Sequence, residues 1–114
     1  MPAAYAVRWR AQFWEGEQMT AYVIADIDVH DQEAYREYAA LVPGTLEPHG
    51  GRFLVRGGAH ETLEGGWQPR RLVVLEFPSA DAAKRWHGSP EYAAALAMRQ
   101  NASTGSLVLV EGTA

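Results

Sequence analysis

The chain has 114 residues, no cysteine and a formal net charge of −4. That length fits one domain able to bury roughly two thirds of its unfolded surface, and the lack of thiols excludes a disulfide framework, a thiolate nucleophile and a Cys-ligated metal. The acidic balance, with basic residues scattered rather than striped, argues against a phosphate-backbone partner, and no apolar run approaches a membrane span, so a cytoplasmic protein bound to neither nucleic acid nor membrane is expected.

Residues 1–20 lack clean periodicity and stand outside the pattern of the rest. Met19 directly precedes the first strand-like run and is the expected natural start, making 1–20 an extension and 21–114 the single domain. The alternative is an added arm whose Trp9, Phe13 and Trp14 pack on that domain. Strand one is predicted over about 21–28, with Val23, Ala25 and Ile27 on one face and Tyr22, Ile24 and Asp26 on the other. Asp31 is the expected N-cap of a helix whose buried stripe is Tyr35, Tyr38, Ala39 and Val42. Pro43-Gly44 should end or kink it, and Gly50-Gly51 marks the exit to strand two, Arg52–Arg56.

A long Gly-rich connection then runs from Gly57 to Pro69, and a loop of that length is often a lid or a partner-facing arm. Strand three is predicted over 71–77. Pro78 stops the ladder, Ser79 caps a helix over about 80–87, and Ser89-Pro90-Glu91 opens another over about 90–101. Strand four is predicted over 106–111. The second half thus repeats the first about fifty positions later, giving two β-α-β units. With right-handed crossovers they form a ferredoxin-like β-α-β-β-α-β antiparallel sheet of order 4-1-3-2, an α+β fold.

The helices cover one face of such a sheet, and Val23, Ala25, Ile27, Phe53, Val55, Val73, Leu75 and Phe77 are expected beneath them. The opposite face, with Tyr22, Ile24, Asp26, Arg52, Leu54, Arg56, Leu72, Val74 and Glu76, has an apolar middle and polar ends. That is too apolar for a water-facing sheet and suggests an association surface. Two copies, sheet to sheet across a two-fold, would enclose a partly polar cavity.

Several segments are similar to one family: Ala21-Tyr22-Val23-Ile24, Glu33-Ala34-Tyr35 with Tyr38, and His49 through Gly58. Leu63-Glu64-Gly65, Arg71 to Pro78, Trp86, Ser89-Pro90-Glu91-Tyr92 and Arg99 extend the likeness. From Ala21 to Glu111 the chain resembles the bacterial domain-of-unknown-function family 1330, within the dimeric α+β barrel superfamily. The resemblance implies a homodimer and no particular reaction. Superfamily relatives include cofactor-free oxygenases, lactone isomerases and haem-degrading enzymes, so the fold spans several chemistries.

The candidate ligand pocket is the polar end of the open face, where Tyr22, Arg52 and Glu76 would meet. Arg52 would hold an anion and Tyr22 would donate a hydrogen bond or a proton. The bland alternative is a cross-strand ion pair with a bonded tyrosine, orienting the dimer. Asp26 and Glu76 are tempting as a carboxylate pair, but antiparallel strands put them at opposite ends. His49, beside the Gly50-Gly51 turn, is the candidate general acid or base. Trp86-His87 resembles a pair in haem-degrading relatives, although Trp86 also reads as core. Tyr92 and Arg99 would pack or pair near a dimer seam. No histidine spacing fits a metal and no glycine pattern fits a phosphate loop, so no metal and no built-in cofactor are expected. Three functions stay open: binding a small acidic or aromatic molecule, cofactor-independent oxygenase or isomerase chemistry, and a structural or stress-related interaction module.

Overall fold

The computed structural model describes residues 19–113; the expected extension lies outside them apart from Met19 and Thr20. The first strand, β1 (Ala21–Val29), alternates buried and half-buried residues along its length. Helix α1 (Gln32–Leu46) starts where the Asp31 carboxylate accepts from the Ala34 N–H at 3.0 Å. A short 3₁₀ turn, Glu47–His49, leads to Gly50 at φ 73° and then to β2 (Arg52–Arg56). After the long connection come β3 (Leu72–Phe77), α2 (Ala80–His87) and α3 (Pro90–Ala102), each helix capped by the serine before it. The last strand, β4 (Ser103–Glu111), starts three residues earlier than its apolar pattern suggests, because the backbone turns from helix to strand with no intervening loop.

The strands pair antiparallel in the order β2-β3-β1-β4, the expected 4-1-3-2 arrangement read from the other edge. Helices lie on one face. The core between them and the sheet is built on Trp86, Tyr92, Phe77, Ile27 and Leu46, each under 2% exposed. The Trp86 ring lies 4.2 Å from Tyr92 and 5.4 Å from Phe77, and the Trp86 N–H donates to Thr45 Oγ1. Burying an indole with its N–H satisfied stabilises the fold by several kcal/mol, on the order of what truncating a core aromatic costs.

Two expectations are corrected. Pro43 does not end α1, which continues to Leu46. Proline lacks the N–H that would donate to the carbonyl four residues back, that of Ala39. The Arg56 guanidinium supplies a substitute, donating to the Ala39 carbonyl at 2.6 Å. The second correction explains how Arg56 gets there. A bulge at Leu54 shifts the register of β2 between Phe53, opposite Leu75, and Val55, opposite Val74. One extra residue exchanges the faces beyond it. Val55, expected in the core, therefore joins the open face at 39% exposure, and Arg56, expected on the open face, lies opposite Val73 and turns toward the helices.

Candidate functional site

The polar end of the open face is assembled by register. Tyr22 lies opposite Glu76 across β1 and β3, and Glu76 lies opposite Arg52 across β3 and β2. Arg52 Nε donates to Glu76 Oε1 at 2.6 Å, and the Tyr22 ring packs against Gly112. The arginine and the carboxylate thus neutralise each other, with Arg52 largely exposed in the single subunit.

Asp26 lies opposite Leu72, toward the other end of β1, so it forms no dyad with Glu76 within one subunit. It anchors the long connection instead. Trp67 Nε1 donates to Asp26 Oδ2 at 2.8 Å, and the Arg70 N–H donates to Oδ1 at 3.0 Å. The Trp67 bond first, and the Arg70 bond after it, hold the Asp26 carboxyl below the usual carboxylate range. The strap is tied internally as well, by Thr62 to the Trp67 carbonyl and by His60 to the Pro69 carbonyl.

The other two sequence candidates lie on the helix side. His49 Nε2 is 2.9 Å from Glu91 Oε2, joining the 3₁₀ turn to the first turn of α3. That bond holds the Glu91 carboxyl below its usual range. Trp86 is 1% exposed in the core, on the opposite side of the sheet from Tyr22, Arg52 and Glu76. It does not share a pocket with them.

Between the sheet and the helices lies a second arrangement that motif reading passes over. A small inner pocket of about 30 Å³ is lined by Tyr35, Tyr38, Arg56, Arg71, Trp86 and Arg99 among apolar strand residues. A wider outer cleft of about 520 Å³, which also includes Arg36 and Arg70, shares with it the wall of Ile27, Tyr35, Ala39 and Arg71. Arg99 is 7% exposed, and its Nε donates to the Tyr92 hydroxyl at 3.3 Å. Tyr92 in turn lies 2.8 Å from the Tyr38 hydroxyl. Burial first, and Tyr92 second, push the Tyr38 phenol well above its ordinary range, so it stays protonated. Arg71 lies over the Tyr35 ring, 5.4 Å from its centroid, and its buried Nε has no hydrogen-bond partner among the described residues.

Gly57 makes room for Arg71. It adopts φ 73°, and a Cβ there would fall inside the Arg71 guanidinium. Among the described residues, none of Arg56, Arg71 and Arg99 forms an ion pair. Arg56 is exposed and Arg71 half-buried, but Arg99 is buried, and burying a guanidinium without an anion is costly, so Arg99 is the unusual feature of the site. The sequence signals were modest: Tyr35 and Tyr38 at helical spacing, and a glycine pair directly after β2. Arg99 and Tyr92, expected near a dimer seam, pair with each other inside the core. Among the described residues no group of three or more His, Asp or Glu side chains could hold a metal ion, and no helix is long and apolar enough to cross a membrane.

A family model described as a domain of unknown function, DUF1330, matches residues 20–113. No curated protein matches the sequence. Among solved structures, a protein of unknown function from Rhodopseudomonas palustris is similar at a TM-score of 0.70 and 19% identity, over 100% of this chain and 96% of that one. SnoaB, a cofactor-independent oxygenase from Streptomyces nogalater, is similar at 0.59 and 14% identity, over 84% of this chain and 95% of that one. A conserved protein of unknown function from Bacteroides thetaiotaomicron, described as a possible oxidoreductase, follows at 0.54 and 14% identity, over 85% and 100%. At these identities the likeness is one of fold.

Proposed function

This chain belongs to DUF1330, a family of domains of unknown function, and we propose that it is a cytoplasmic homodimer that binds a small organic acid between its sheet and its helices. One observation carries the reading. Arg99 is buried, faces the inner pocket, and has no carboxylate partner among the described residues. A ligand anion is the partner that would make such burial favourable. Arg71 and the tyrosines beside it supply further donors and an aromatic wall.

The Tyr22, Arg52 and Glu76 end of the open face serves association in this reading. Its ion pair is already satisfied, and the face carries exposed Val108 (58%), Leu54 (45%) and Val110 (40%). Two copies meeting there would cover those side chains. A second reading, cofactor-independent oxygenase or isomerase chemistry, shares the same donors, which would hold an enolate as readily as a carboxylate. The described lining of the inner pocket contains no Asp, Glu or His to act as a base, which favours binding over proton abstraction.

Trp86 lines the pocket and reports on it. Titrating the protein with a panel of small aromatic carboxylates should give a saturable fluorescence change that Arg99→Met loses. No saturable change with any of them would end the proposal.

A further inference from the structure

We infer that the inner pocket takes the carboxylate head of its ligand and that the body of the molecule stays in the outer cleft; this rests on the proposal that the protein binds an organic acid there. The first support is size. A space of about 30 Å³ holds one or two waters or a head group of similar bulk, and no ring. The outer cleft of about 520 Å³ shares the Tyr35 and Arg71 wall with it and has room for the remainder.

The second support is the direction of the hydrogen bonds. Arg99 Nε can only donate, so the Tyr92 oxygen accepts from it. Between Tyr38 and Tyr92 either hydroxyl could donate. Were Tyr38 the donor, the Tyr92 proton would be left at a fully buried position with no acceptor among the described residues. With Tyr92 donating to Tyr38, the Tyr38 proton is free to point into the pocket that Tyr38 lines. That arrangement moves the spare hydroxyl proton from a fully buried site to one lining the pocket, where water or a ligand can accept it, which is the cheaper state.

The inner pocket is therefore lined by the donors of Tyr38, Arg99 and Arg71. Apart from the hydroxyls of Tyr35 and Tyr38, its described side chains offer no acceptor. A carboxylate, which only accepts, satisfies this set; an ammonium or an amide N–H facing inward does not. Tyr92 acts through Tyr38 and is a positioning residue.

The test uses the full chain with benzoate and benzamide as probes, read in proton–nitrogen spectra of the arginine Nε–H groups. Benzoate should shift the Arg71 and Arg99 signals and bind at least about tenfold tighter than benzamide, as expected when a site built for one hydrogen-bonding pattern meets another. Tyr38→Phe should weaken benzoate about fivefold, the value of one hydrogen bond. Tyr92→Phe, which leaves the Tyr38 hydroxyl in place but frees its orientation, should weaken it by less. Equal binding of benzamide, with the same arginine signals shifting, would overturn the inference about the head group while leaving small-molecule binding in place. Benzoate shifts confined to Arg52 would overturn it too. If neither probe shifts any arginine signal at its solubility limit, the binding proposal itself fails.

Discussion

The guanidinium of Arg56 donates at 2.6 Å to the carbonyl of Ala39, the acceptor that Pro43 leaves without an intrahelical donor. A strand residue thereby completes a helix that its own sequence interrupts. The bulge at Leu54 is what aims it there. Arg56→Ala should cost about 1 kcal/mol, at the low end for a hydrogen bond from a charged group because the side chain is exposed. Pro43→Ala should restore the backbone bond and make the two changes non-additive by about 0.5 kcal/mol or more. A double-mutant cycle by denaturant unfolding measures this, and strict additivity would refute the compensation.

Arg99 invites a prediction of the opposite sign. Arg99 is buried with no carboxylate partner among the described residues, so Arg99→Met should leave stability unchanged or raise it by about 1 kcal/mol, despite losing the Tyr92 contact. Affinity for aromatic carboxylates should fall at least about tenfold. Thermal unfolding with and without benzoate separates the two effects. A large loss of stability in Arg99→Met would make Arg99 a structural residue.

Gly57 and Gly58 are neighbours with different duties. Gly57→Ala meets both a φ of 73° and the Arg71 guanidinium; it should cost about 1–2 kcal/mol and weaken ligand binding by displacing Arg71. Nothing lies within 4 Å of a Cβ at Gly58, so Gly58→Ala should leave binding unaffected. Titrating benzoate into both variants checks the contrast, which disappears if Arg71 plays no part.

The open face is tested by charge. Val108, opposite Ile24 on that face and 58% exposed, becomes a buried carboxylate in Val108→Asp if two sheets meet. Sedimentation should then show monomer with the secondary structure retained. An unchanged assembly would place the association surface elsewhere.

The bonds from Trp67 and, after it, Arg70 hold the Asp26 carboxyl below the usual carboxylate range. A depressed carboxyl contributes stability above its unfolded pKa and loses it as pH falls through the folded one. The strap should therefore loosen only below about pH 4, seen as a change in Trp67 emission against a Trp67→Phe reference. Asp26→Asn should show no such acid transition. A transition persisting in Asp26→Asn would assign it to another group.

Much of the fold could be read in the residues, because alternation in 21–28 and 71–77 and the serine and aspartate caps act locally. Sheet order followed from crossover handedness. The bulge was hidden: Arg52-Phe53-Leu54-Val55-Arg56 alternates without a break, and only pairing with β3 shows that Leu54 is extra. The passage of α1 through Pro43 was hidden for a related reason, since the substitute donor comes from another strand. The inner pocket was the least legible part. Its arginines come from β2, the residue before β3, and α3, and no motif joins residues that meet only after folding.

The most direct test of ligand binding at Arg99 is native mass spectrometry of untagged protein incubated with benzoate, beside Arg99→Met treated identically. Expected are a wild-type dimer carrying the added mass, released on denaturation, and a variant dimer without it. A wild-type monomer, or an adduct retained equally by Arg99→Met, would contradict it.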